Sequence, residues 1–275
     1  MTTSFRIAIV AAGITVGLPA AADSTLEYVV AQTPGQPPKA QPVLVKDGRV
    51  MVKGAGGDSR LDLLYSRAGE SLFVIDHRKH SVMTLDRQEL SRIGRQIEQF
   101  QPLLQGVGEQ LGRLSPEQRA RWEQMLGGSI SLEQVAEAAK PAQSARIVKA
   151  GAPRSVAGVS CEPMSLVQGN AKTAEFCLAD PGRLNLPGDD YATLRALLHF
   201  SEQLAVSTQG LAGHFGISLP NVQIHDLAGV PVEVKDLSGH VTTTVTLNRI
   251  VSSALDDELL QVPAGYRPEP LAPWQ

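Results

Sequence analysis

The side chains able to carry chemistry are few. Of six histidines, His77, His80, His199, His214, His225 and His240, only His77 and His80 lie near each other, and with Asp76 they form one local ligand set. Two imidazoles and a carboxylate at that spacing suit a divalent metal with open coordination positions. Arg78 and Lys79 stand between the histidines and oppose the entry of a cation. A solvated turn is therefore the expectation for Asp76–His80, and no resident metal or cofactor is expected. Asp189-Asp190 and Asp256-Asp257-Glu258 have the look of paired catalytic carboxylates. Each pair precedes an apolar run, Tyr191 onward and Leu259-Leu260, so each reads more simply as a cap facing unsatisfied helix amides. Ser155, Ser160 and Ser201 have no activating neighbour. The chain lacks a Gly-x-Ser-x-Gly elbow, a His-Glu-x-x-His pair and a phosphate-binding glycine loop. A hydrolase would have to assemble its site from distant segments.

Cys161 and Cys177 flank Gln168-Gly169-Asn170 symmetrically, so a hairpin centred on Gly169 sets them opposite each other. Directly opposed side chains come close to disulfide range. A redox or metal pair is the alternative, but neither cysteine belongs to a Cys-x-x-Cys motif.

Length and composition bound the rest. The chain has 275 residues, a formal charge of −3, 43% hydrophobic and 19% charged residues. That is a folded protein with a sizeable core, without the basic excess that nucleic-acid binding calls for. Arg6, the apolar run Ile7–Leu18 and Ala20-Ala21-Ala22 read as a secretory signal peptide over residues 1–22, cleaved after Ala22. The run is too short to span a bilayer, and no later segment is apolar for long enough. The expected location is the periplasm, an oxidising compartment in which the two cysteines bridge.

The elements that position these groups follow from periodicity. Ser24–Ala31 alternates as a strand, with Leu26, Tyr28 and Val30 on one face. Pro34, Pro37, Pro38 and Pro42 predict a stiff loop unable to serve as a central strand. Asp47-Gly48 between Val43–Lys46 and Arg49–Val52 predicts a two-residue hairpin pairing 46 with 49. Leu61–Tyr65, Ser71–Ile75 and Ser81–Leu85 continue the sheet. Pairing 75 with 82 places Leu72, Val74, Met83 and Leu85 on one face and Phe73, Ile75 and Val82 on the other. Both faces are apolar, so each must be covered by the chain or occupied by an apolar ligand.

Ile93, Ile97, Phe100, Leu104, Val107, Leu111 and Leu114 form a helical stripe, and Ser115-Pro116 starts a second helix that presents Trp122. Together they predict a helical insert over about 87–139, with Ile93, Ile97, Phe100, Leu104 and Trp122 as a lid. Strands are expected again at Ala145–Ala150, Val156–Val167, Ala171–Ala179, Val222–Ile224, Val230–Val234 and Val241–Ile250, and a helix at Tyr191–Val206. That helix sets Leu194, Leu197, Leu198, Leu204 and Ala205 on one side. With no βαβ rhythm, the class is α+β on a large curved antiparallel sheet. One domain over 23–266 and an extended proline-rich tail, 267–275, complete the organisation.

Three stretches carry a family resemblance. They are Ser71-Leu72-Phe73-Val74-Ile75-Asp76 running to His80-Ser81-Val82, Val156–Cys161 with Glu175-Phe176-Cys177-Leu178-Ala179-Asp180, and Val262-Pro263-Ala264-Gly265-Tyr266. They resemble an uncharacterised family of exported bacterial proteins, domain-of-unknown-function family 4412. More remotely they are similar to the half-barrels of periplasmic carriers and receptors for outer-membrane lipoproteins. The resemblance implies an unclosed barrel lidded by helices, whose apolar face takes up acyl chains. The expected function is non-catalytic binding of a lipid, an acylated protein or another apolar ligand in the cell envelope. A scaffolding module for an envelope protein partner is the alternative, and a hydrolase with a dispersed site the third.

Overall fold

The computed structural model describes residues 23–33, 35, 37–92, 95, 115, 118, 145–207, 228–239 and 241–270. The signal peptide, the strand at Val222–Ile224 and the lid residues Ile93, Ile97, Phe100, Leu104 and Trp122 lie outside them, as does nearly all of the insert.

Six strands run in hairpin succession: β1 (Ser24–Thr33), β2 (Lys39–Lys46), β3 (Arg49–Val52), β4 (Leu61–Ser66), β5 (Ser71–Asp76) and β6 (Ser81–Leu85). After the insert come β7 (Ala145–Lys149), β8 (Arg154–Val156), β9 (Val159–Gln168) and β10 (Ala171–Ala179). Helix α1 (Gly188–Ser207) leads to β11 (Val230–Asp236), β12 (Thr242–Ser252) and the short β13 (Arg267–Pro268). All join one open sheet in the order β13-β6-β5-β4-β3-β2-β1-β12-β11-β10-β9-β7, with β8 also on β9. Among the described residues, every pairing is antiparallel except β13 on β6. The class is α+β, with a small helical component on a large open sheet. Among the described residues, no helix is long and apolar enough to cross a membrane.

Local chemistry fixes the registers. Asp47 and Gly48 have φ of 47° and 72°, the left-handed pair a tight hairpin needs, and Lys46 pairs with Arg49 as the turn dictates. The β5–β6 pair runs Leu72↔Leu85 to Ile75↔Val82, the register predicted from its turn. Pro42, however, lies inside the central strand β2, opposite Glu27 of β1. Its carbonyl accepts Lys53 N–H at 3.0 Å. The missing donor therefore faces Lys53, just beyond the end of β3, where the ladder stops and little is lost. The predicted strand Val156–Val167 is divided, because Ala157 and Gly158 turn with φ of 50° and 79° and fold β8 back onto β9.

The cysteines bridge, but not as directly opposed residues. The β9–β10 register slips at Lys172/Ala174, leaving Cys177 opposite Pro163 and Cys161 opposite Ala179. The two are diagonal neighbours with Cα atoms 5.4 Å apart. The slip skips Thr173, whose hydroxyl is buried with no hydrogen-bond partner.

The faces of the sheet carry three apolar clusters, one of them Leu166, Ala174, Phe176 and Leu178 on β9 and β10. On the inner face, Leu26, Val45, Val50, Tyr65, Leu72, Leu85, Cys161, Cys177, Val232 and Leu247 form one cluster with Phe200 and Leu204 of α1. The inward side of α1 thus carries Leu197, Phe200 and Leu204, with Thr193 fully buried. Leu198, predicted on that side, is not part of the cluster. The Tyr65 and Phe200 rings meet with centroids 5.6 Å apart. The helix begins at Gly188, three residues before its predicted start, so Asp189 and Asp190 occupy its first turn.

On the outer face, Leu44, Met51, Leu64 and Ile75 are covered by Leu255, Leu260, Val262 and Tyr266. The second apolar face read from Phe73, Ile75 and Val82 is therefore roofed by a C-terminal strap, 255–266. Leu259-Leu260 close a 3-10 turn (Asp257–Leu260) whose Glu258 N–H is capped by Asp256, the capping role read from this acidic run. Beyond the strap, Arg267 and Glu269 donate their amides to His80 and Val82 carbonyls at 2.9 and 2.8 Å. Pro268 falls between these two donors, the position in a ladder at which no N–H is needed.

Candidate functional site

Registers place side chains in rows across the inner face, since opposed residues of an antiparallel pair share a face. Val45, Val50, Tyr65, Leu72 and Leu85 make one row, each buried in the α1 core. The next row runs Ile250, Leu26, Val43, Val52, Leu63, Val74 and Met83 across seven strands. Leu26 is buried, but Val43, Val52, Leu63, Val74 and Met83 are each only half-buried. At about 4.8 Å per strand, this apolar stripe is about 29 Å long. Of the residues predicted to line a cavity, the structure therefore brings Leu72 and Leu85 into the core and leaves Val74 and Met83 on the stripe. Phe73, Ile75 and Val82 lie under the strap.

Arg78, Lys79 and His80 are exposed turn residues, as expected, but His77 has a further role. His77 is half-buried; its Nδ1 is 2.7 Å from the Tyr266 hydroxyl and its Nε2 is 2.8 Å from Asp62 Oδ2. Because the Asp62 carboxylate only accepts, Nε2 carries the proton and Nδ1 accepts the Tyr266 O–H in the neutral ring. Asp62 also accepts from Lys53 Nζ at 2.8 Å and the Gly54 amide at 3.0 Å. Burial would push its carboxyl up, but the bonds from Lys53, His77 and Gly54 outweigh that and hold it below the usual carboxylate range. The Tyr266 ring stands edge-on to both His77 and His80, at 5.7 and 5.4 Å. Asp76 spends Oδ1 on the Arg78 and Lys79 amides. Both nitrogens of His77 are thus engaged within the protein, and its place is that of a latch between sheet and strap. Among the described residues, no group of three or more His, Cys, Asp or Glu is arranged to hold a metal ion.

The strap is held at its other end by charge. Asp23 Oδ2 accepts the Leu255 amide at 2.7 Å, and Lys46 Nζ lies 3.0 Å from Asp257 and 2.5 Å from the Leu255 carbonyl. Arg49 donates to the Leu260 carbonyl at 3.3 Å.

Asp190 is not a cap. Its Oδ2 accepts the hydroxyl of Ser24, a fully buried residue, at 2.5 Å. Burial pushes its carboxyl above the usual range against that bond, and Asp23, Asp189 and Asp47 push the same way. A raised folded value favours the fold below the unfolded pKa, and the advantage fades as pH climbs through the folded value. Asp190→Asn keeps the acceptor for Ser24 and removes the charge. Its thermal midpoint is expected to exceed that of the parent by a margin that grows with pH above the ordinary carboxylate range and disappears below it. Thermal unfolding followed at a series of pH values checks this.

The sequence hid the Asp62–His77–Tyr266 chain because its members come from β4, the β5–β6 turn and the strap. One signal was present: Asp62 is a lone acid between Leu61 and Leu63-Leu64 in an apolar strand, and a buried charge demands partners.

No family model matches the chain, and no curated protein matches it. Among solved structures, a PNGF-II chain in a C2 crystal form matches with TM-score 0.40 and 8% identity, covering 91% of this chain and 31% of that one. An uncharacterized conserved protein from Thermus thermophilus matches with TM-score 0.40 and 5% identity, over 91% of both chains. The chain thus spans about a third of the length of the PNGF-II chain. Likeness at this level says nothing about activity.

Proposed function

We propose that the protein is an exported, non-catalytic binder or carrier of an acyl-bearing or other apolar ligand, acting in the periplasm. The observation that supports this most is the half-buried stripe Val43, Val52, Leu63, Val74 and Met83, lying beside a core that α1 already fills. Isolated apolar side chains on a surface need no explanation, but a contiguous row across a sheet face does. Each methylene laid along it is worth about 0.8 kcal/mol, enough in sum for a dozen-carbon chain to offset its immobilisation.

Displacement of a fluorescent dodecanoyl probe tests the reading. Wild-type protein is expected to bind the probe, and Leu63→Asp to weaken it by about tenfold or more; because Leu63 is half-buried against the inner core, the new charge also lowers the thermal midpoint, so affinities are compared at a temperature where both proteins are folded. If Leu63→Asp fails to fold, the milder Leu63→Thr takes its place. Unchanged probe affinity in a folded stripe variant contradicts the proposal.

A second reading, an interaction module for an envelope protein, draws support from β7. This strand ends the sheet, and its Val148 is exposed. A free edge can accept a partner strand. A partner whose capture is lost on Val148→Pro, with dodecanoyl binding absent, favours this alternative.

A further inference from the structure

The inner face carries more than the stripe. Four residues along β1 and β2 from Leu26 and Val43, the opposed pair Val30 and Lys39 points to the same face. At about 3.4 Å per residue this is about 14 Å from the stripe. The row between them holds Tyr28 and Gln41, both half-buried. Tyr28 donates its hydroxyl to the Pro231 carbonyl at 2.9 Å, and Gln41 Nε2 donates to Gly54 O at 3.1 Å. The face is therefore continuous from stripe to pair.

At this end lies a cavity of about 420 Å³, lined by Val30, Gln32, Lys39, the backbone of Gly56 and Gly57, and the Asp58–Arg60 turn. Its chemistry is unlike that of the stripe. Arg60 and Asp58 neutralise each other through two bonds of 2.8 and 2.7 Å. The Lys39 ammonium spends one donor on the Gly57 carbonyl at 3.1 Å and, among the described residues, has no carboxylate within ion-pair reach. An ammonium has three donors, so capacity remains. Gly56 and Gly57 have φ of 64° and 80°, and nothing lies within 4 Å of where a Cβ would stand on either. The backbone is bare there, and the room above it is open.

We infer that this cavity takes the anionic head, phosphate or carboxylate, of an amphiphile whose apolar chain lies along the stripe, with Lys39 as its counter-charge. The inference deepens the proposed function and rests on it. A polar cavity with one uncompensated cation, on the same face as an apolar row and separated from it by Tyr28 and Gln41, matches a molecule with one charged end and a chain long enough to cross that gap.

Competition of tetradecyl phosphate, tetradecanol and inorganic phosphate against the fluorescent dodecanoyl probe separates the head from the chain, and a lipid head from a free anion; the longer chain crosses the gap and still reaches the stripe. Wild-type protein is expected to bind tetradecyl phosphate about tenfold tighter than tetradecanol and to bind inorganic phosphate far more weakly than either. Lys39→Gln should erase the advantage of the phosphate head and leave tetradecanol affinity unchanged. Gly56→Asn, which tolerates the left-handed backbone and fills the open room, should do the same. Equal affinity for tetradecyl phosphate and tetradecanol in the wild type overturns the head site while leaving the apolar reading intact. So does an advantage that survives both substitutions. Inorganic phosphate binding as tightly as tetradecyl phosphate overturns the link to the stripe. Failure of both tetradecyl ligands overturns the reading beneath it.

Discussion

Leu260→Ala is expected to lower the thermal midpoint by about 5–15 °C. Leu260 is fully buried, and it closes the outer-face core over Leu44, Met51, Leu64 and Ile75. Truncating a buried leucine costs about 2–5 kcal/mol, according to how far the site collapses, and each kcal/mol moves the midpoint of a domain this size by about 2–4 °C. Little collapse is available here, because the strap is pinned on both sides of Leu260, by Lys46 and Arg49 at one end and by the His77–Tyr266 bond at the other. Tyr266→Phe keeps the ring against His77 and His80 and removes only the hydroxyl. It should cost about 1 kcal/mol, a smaller fall. Circular dichroism melts of the two variants beside the parent check both magnitudes. A Leu260→Ala protein that melts with the parent would mean that the strap is not part of the cooperative unit.

Reduction of the Cys161–Cys177 bridge should lower the urea midpoint by an amount equivalent to at most about 3 kcal/mol. That figure is the loop-closure entropy for a crosslink of this separation. The hairpin β9–β10 already holds the loop through its backbone ladder, so the observed loss should fall below it. Both sulfurs lie in the inner core, with Cys161 3% and Cys177 0% exposed, so reductant should act only after the region opens. Equilibrium urea titrations with and without reductant measure the loss, and alkylation during unfolding shows when the thiols become available. Free, alkylatable cysteines in native oxidised protein would contradict the bridge.

Where neighbours along the chain decide the geometry, the sequence was readable. Asp47-Gly48 sets one hairpin and the turn Asp76–His80 sets another, and both registers follow residue by residue. The two-sided apolar pattern of β5 and β6 required two coverings, and the structure supplies two cores. What covers the outer face was hidden, because the strap lies far along the chain from the strands it roofs. Nothing in Val262–Tyr266 names Ile75 as its partner. The cysteine register was misread for a local reason with no composition signal, a single skipped residue at Thr173. Ala157 was misread because alanine rarely takes positive φ, and only the glycine after it hinted at a turn. Gly54-Ala55-Gly56-Gly57 marks bare backbone in the sequence, but nothing local links it to Lys39, which meets that loop only once β2 and β3 are paired.

The most direct test of the account is native mass spectrometry of the protein purified from the periplasm of a producing bacterium, without detergent. The account predicts a retained adduct of lipid size that is released by organic extraction and taken up again from added acyl ligand, and that is absent from Leu63→Asp. A protein that flies at its bare polypeptide mass from the periplasm, and stays at that mass after incubation with acyl ligands, would contradict it.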